Sequence, residues 1–105
     1  MIHHEILDAL GDETRRTILS MVRDESRSVG EIADALPVSQ PAVSQHLRVL
    51  RDAGLVHAEK LGRKRIYHVD KRGFEPLREY VSSFWDEALD AFQDSFQPPT
   101  KRRQR

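Results

Sequence analysis

Between Ser39 and Asp52 the sequence sets an uncommon collection of polar side chains on one side of a helical repeat. With Val43 at zero and about 100° per residue, Leu47 and Leu50 fall within about 40° of it and make a core stripe. Pro41, Ser44, Gln45, Arg48, Arg51 and Asp52 fall on the other side. A face that only meets water is usually rich in Glu and Lys. Hydroxyls, amides and guanidinium groups instead hydrogen-bond base edges and phosphates, and Gln has the bidentate geometry for adenine. Gln40, Ser44 and Gln45 have no core role on this wheel, so base contact accounts for them better than packing. Ser39 suits two roles, an N-cap and a phosphate contact from the same helix start. His46 lies at the edge of the apolar arc, where packing competes with base contact. Arg48 and Arg51 fit either a solvated face or phosphate, with phosphate favoured for Arg48. Arg63, Lys64 and Arg65 follow Gly62 as a second group. They make either an edge-protecting charged hairpin tip or a grip on phosphate and minor groove.

Other chemistries find little material. The 105 residues include no cysteine, which removes disulfides, thiolate metal sites and cysteine nucleophiles. There is no Gly-rich phosphate loop and no nucleophile–base constellation, so the chain reads as a non-enzyme without a cofactor. The five histidines, His3, His4, His46, His57 and His68, are scattered. A hard-metal site from His3, His4 and last-helix carboxylates is the weaker reading of the first two. No apolar run is long enough for a membrane span or secretory segment, and a cytoplasmic location is expected. The formal net charge of zero conceals blocks: −4 over 1–38, +5 over 39–72, −5 over 73–97 and +4 beyond. A positive block inside an acidic chain suggests one face made for an anionic partner.

The elements that position these groups are legible in the punctuation. Ile2, Ile6, Leu7 and Leu10 recur at helical spacing up to Gly11. Asp12 caps a second helix to about Arg23, with Ile18, Leu19 and Val22 inward. Ser28 and Glu31 have capping-box spacing for a short third helix running into Pro37. Ser39 caps a fourth, with Pro41 in its first turn, which runs to Ala53 before a C-terminal Gly54. Two short helices joined at Pro37-Val38 match a helix-turn-helix. The period then drops to about two: Leu55–Leu61 and Arg65–Val69 read as strands of a hairpin around Gly62-Arg63-Lys64. A long helix from Gly73 to about Phe96 carries Leu77, Val81, Phe84, Trp85, Ala88, Leu89 and Phe92, and Pro98-Pro99 ends it. This predicts one domain over 1–97, mainly α with a small β-hairpin, and a disordered basic tail over 98–105. Phe84, Trp85, Phe92 and Phe96 exceed what a small core needs, which marks an oligomer interface. Ile2, Ile6 and Leu10 offer a second apolar stripe, so Ile2, Ile6, Phe84, Trp85, Leu89 and Phe92 are the expected interface residues.

The run from Leu36 to Val56, LPVSQPAVSQHLRVLRDAGLV, strongly resembles the ArsR family of bacterial transcriptional repressors. The opening Leu10–Arg16, the wing Gly62–Tyr67 and the Trp85-containing last helix fit it as well, so the resemblance covers roughly 4–96. It implies a winged helix-turn-helix of about five helices and a two-stranded wing, and a homodimer formed by the first and last helices. It also implies binding of double-stranded operator DNA at an inverted repeat, with Ser39, Gln40, Pro41, Ser44 and Gln45 at the family's DNA-contacting positions. The chain departs from the family where many members sense metal. Ser28-Val29-Gly30 stands in place of Cys-Val-Cys, and no histidine follows His68. Neither of the family's familiar metal-sensing sites is therefore expected in this chain. The alternatives are a winged helix that binds protein, or a regulator with a non-standard metal or small-molecule sensor site.

Overall fold

The computed structural model describes residues 4–96, with side chains as far as Gln93. Ile2, His3 and the basic 98–105 segment lie outside the described residues. Helix α1 spans His4–Leu10 and stops at Gly11, whose N–H reaches the Asp8 carbonyl at 3.1 Å. Helix α2, Glu13–Asp24, starts on Asp12, whose carboxylate accepts from the Arg15 N–H at 2.9 Å. The capping box at the head of α3 (Val29–Asp34) is complete: Ser28 Oγ accepts from the Glu31 N–H and Glu31 Oε1 from the Ser28 N–H. Expected to reach Pro37, α3 ends earlier. The Ala35 and Leu36 N–H groups close tight bonds to Ile32 and Ala33, and the residue before a proline is disfavoured in α conformation.

Helix α4, Gln40–Asp52, begins on Ser39, whose hydroxyl accepts from the Ala42 N–H at 3.2 Å. Its end is a Schellman motif: Gly54, at φ +83°, donates to the Arg51 carbonyl while Leu55 donates to that of Leu50. Val43, Leu47 and Leu50 are fully buried, as the wheel requires. They join Ile18 and Val22 of α2, Ile32 of α3, and Leu55, Val56 and Tyr67 in one core.

Two strands, β2 (Val56–Leu61) and β3 (Lys64–Val69), form the expected hairpin, in register from Val56↔Val69 to Leu61↔Lys64. The turn is the two residues Gly62-Arg63, with Gly62 at φ +63°, and Lys64 belongs to the strand. A third strand that the sequence reading missed, β1 (Arg27–Ser28), pairs antiparallel with β3, giving the order β1-β3-β2. Two residues are too few for a period-2 signal, and Ser28 is also the α3 cap.

The last helix starts later than Gly73. Asp70 caps a 3₁₀ turn, Lys71–Phe74, before α5 runs from Glu75 to Phe96. Tertiary contact dictates that turn. A Cβ at Gly73 would lie 1.6 Å from the Gly54 carbonyl oxygen, so the chain crosses the end of α4 where only glycine fits. Beyond it α5 leaves the body of the molecule, and every residue from Arg78 to Gln93 is exposed. Of the expected interface residues, Ile6 is buried within the single chain. Ile6 is only 2% exposed and sits with Ala9 in its own core, because the hydrophobic side of α1 packs onto α2 and α4. Leu7, 38% exposed, is the apolar side chain that α1 holds outward.

Candidate nucleic-acid interface

The burial of Val43, Leu47 and Leu50 fixes which side of α4 faces out. Ser39, Gln40, Pro41, Ser44, Gln45, Arg48, Arg51 and Asp52 are all exposed. The four unsatisfied N–H groups at the start of a helix and its dipole favour an anion there. Ser39 occupies one of them internally through its bond to Ala42, so its hydroxyl is an N-cap first. Pro41 lies in the first turn, where its missing N–H costs no helix bond. The result is a rigid rod presenting amides and hydroxyls near its start and guanidinium groups toward its end.

The packed reading of His46 is the one the fold adopts. Ala42, His46 and Val49 form a half-buried border along α4. The His46 Nδ1 lies 3.4 Å from Arg15 Nη1 and 4.0 Å from Asp12 Oδ2. The backbone N–H of Arg15, followed by the Arg15 and His46 charges, holds the Asp12 carboxyl below its ordinary value.

At the wing the three expected cations are all exposed, but the pleat divides them. Successive strand residues point to opposite faces, so Lys64 and Arg65 diverge. Arg65 lies across from Lys60. Together with Arg51, His57 and Ala58 they line an open cleft of about 420 Å³ between the end of α4 and the hairpin. Lys64 faces the other way, close enough for its charge to reinforce the lowering of the Glu31 carboxyl, an effect led by the Ser28 N–H. Arg63 sits in the turn. Lys60 and Arg51 are thus members of the cationic surface that the sequence reading left out of its site. The register Lys60↔Arg65 was the available signal, since alternation from buried Val56 puts Ala58 and Lys60 on one face.

On β2 and β3 the His57 and His68 rings stack, with centroids 5.2 Å apart. His68 bridges Glu59 at 3.0 Å and Ser26 at 2.8 Å. Among the described residues no three His, Cys, Asp or Glu side chains are grouped to hold a metal ion. No described helix is long and apolar enough to cross a membrane.

On α5, Val81, Phe84, Trp85, Leu89 and Phe92 form a helical stripe between 44% and 64% exposed. Tyr80 meets Phe84 edge-on at 4.8 Å. The Phe96 side chain lies outside the described residues.

Comparison with known proteins places this geometry. A family described as "Bacterial regulatory protein, arsR family" matches residues 12–58. The HTH-type transcriptional regulator Rv2034 of Mycobacterium tuberculosis is 45% identical over 84 residues, 80% of this chain and 78% of that protein. The HTH-type transcriptional repressor SmtB of the same species is 45% identical over 65 residues, 62% of this chain and about half (48%) of that protein. A homodimeric winged helix-turn-helix DNA-binding domain from Mycobacterium bovis superposes with a TM-score of 0.65 at 27% identity, covering 84% of this chain and 82% of that one.

Proposed function

Because the chain belongs to the ArsR family of bacterial regulatory proteins, whose members are winged helix-turn-helix transcriptional regulators and not enzymes, we propose that it acts as a homodimeric repressor of an inverted-repeat operator. The observation that carries this is the outward face of α4, where Gln40, Pro41, Ser44, Gln45 and Arg48 are all exposed beside a cationic wing. In this reading Gln40, Ser44 and Gln45 meet base edges in the major groove. Ser39 and Arg48 meet phosphates, and Arg63, Lys64 and Arg65, joined by Lys60 and Arg51, follow the backbone.

Residues 1–97 form the unit that does both jobs, reading DNA and pairing. A second copy is the occupant we assign to the α5 stripe. An amphipathic helix left exposed on every side in one chain has its apolar face uncovered, and the similar Mycobacterium bovis domain is homodimeric. Phe84, Trp85, Leu89 and Phe92 meet their counterparts there, with Leu7 of α1 at the margin. Repression is favoured by the similarity to SmtB, named as a repressor. DNA as the partner puts the protein in the cytoplasm.

Fluorescence anisotropy with the promoter-proximal DNA of the protein's own gene tests this. Specific binding should exceed binding to random duplex by about 10³ or more at physiological salt. Equal affinity for both, at every salt concentration, would leave only a winged module that binds something else.

A further inference from the structure

Arg15 joins three elements. Its Nε donates to the Ala9 carbonyl at 2.8 Å and its Nη2 to the Asp8 carbonyl at 3.0 Å, both at the end of α1. Its backbone N–H is held by Asp12. Its remaining Nη1 reaches His46 Nδ1, in the middle of α4. Arg16 adds a bond to the Leu10 carbonyl at 2.8 Å. Two guanidinium groups thus donate to the Asp8, Ala9 and Leu10 carbonyls and complement the negative end of α1. One of them, Arg15, also turns its third nitrogen to the helix that carries Gln45.

A helix seated by a single apolar stripe, here Val43, Leu47 and Leu50, can rock about that stripe because hydrophobic contact is non-directional. Directional contact on its flank removes that freedom. His46 is the polar side chain on the half-buried border of α4, next to Gln45 in sequence. A bidentate amide–base contact tolerates only about 0.5 Å and 10–20° of error. We infer that His46 is a positioning residue: held by Arg15 against the α1–α2 corner, it sets the rotation of α4 at which Gln45 and Arg48 address DNA, and ties that rotation to α1. This rests on the DNA-reading function proposed above. A guanidinium nitrogen can only donate, so Nδ1 is the accepting atom of this contact.

The test uses the full chain and two probes, a duplex selected from a random pool by the wild-type protein and a random duplex. All variants are compared below their melting temperatures by circular dichroism. His46→Leu keeps bulk and removes the acceptor. His46→Asn returns an acceptor oxygen near the Nδ1 position, and Arg15→Met removes the donor. We expect His46→Leu and Arg15→Met each to lose about tenfold in preference for the selected duplex, with random-duplex affinity unchanged. The double variant should lose no more than either single one, and His46→Asn should recover most of the preference. A His46→Leu protein that keeps its preference, an Asn variant as poor as Leu, or additive losses in the double variant would overturn the inference. A loss in His46→Leu that Arg15→Met does not share would make His46 a direct base contact, which also overturns it. Should the wild-type chain select no sequence from the pool, it is the DNA-reading proposal that fails.

Discussion

Replacing Trp85 with alanine separates the dimer from the fold. In the single chain Trp85 is 64% exposed. A Trp side chain buries up to roughly 250 Å², so about 160 Å² of it remains for a second copy to cover. At about 25 cal/mol per Å² full coverage contributes about 4 kcal/mol per protomer. Alanine keeps part of that area and interfaces seldom cover a ring completely, which leaves about 2–3 kcal/mol per protomer. Two-fold symmetry counts the loss twice, so the dimerisation constant should weaken by about 10³-fold or more. The monomer fold should barely notice, because the core of Ile18, Ile32, Val43, Leu47 and Leu50 makes no use of the ring. Sedimentation velocity over a concentration series reads the constant, and circular dichroism at one concentration checks the helices. Operator affinity should fall with the dimer, since one half-site offers half the contacts. A wild-type chain that sediments as a monomer at tens of micromolar, or a Trp85→Ala dimer within about tenfold of wild type, would refute the reasoning. A monomeric variant with full operator affinity would break the link between pairing and recognition.

Further outcomes follow from particular residues and from added metal. Gln45→Ala should cost roughly 1–3 kcal/mol at the selected site and relax discrimination at one base position. Arg63→Ala should weaken all duplexes alike and flatten the salt slope by about one unit; identical behaviour of the two in anisotropy titrations would erase the distinction between reader and positioner. Gly73→Ala must displace the Gly54 carbonyl and should destabilise the fold by about 1–3 kcal/mol or more in urea titration; an unchanged midpoint would mean that the crossing is loose. The Asp12 and Glu31 carboxyls are held low by the N–H groups they cap, those of Arg15 and Ser28, so their contribution is present above the unfolded pKa and fades as pH falls through the folded one. The melting temperature should therefore drop on the acid side of the ordinary carboxylate range, and Glu31→Gln should shallow that drop. Micromolar zinc should leave operator affinity unchanged; a shift of about tenfold, or 1.4 kcal/mol of coupling, reversed by a chelator, would reveal a sensor site.

Much of the architecture was written in local chemistry. Asp12, Ser28 and Ser39 cap the helices they were expected to cap, and Gly54 ends α4 in the left-handed conformation that a β-carbon would disfavour. These are contacts between residues three or four apart, and so are readable from spacing. The outward face of α4 was readable for the same reason, because three apolar residues on one arc leave only one arc for the rest. The family was legible too, through an unbroken run of residues in α4 and its flanks.

What spacing could not supply were pairings between distant segments. β1 exists only because β3 offers it an edge, and the 3₁₀ turn before α5 exists because Gly73 must clear Gly54. Lys60 joined the cationic cleft once the hairpin register set it opposite Arg65 and α4 brought Arg51 alongside. Ile6 looked like interface from its spacing, yet its periodicity says only that one side of α1 is apolar. Which neighbour covers that side depends on where α2 and α4 stand. The same limit applied to His46, at the border of an apolar arc where a wheel cannot tell packing from contact. Sequence alone determined the helices, their caps and the polarity of the reading face, since each arises within a turn or two of chain. Tertiary structure decided which apolar sides meet, which cations converge and what holds α4 in rotation, since those depend on distances between residues far apart in the chain.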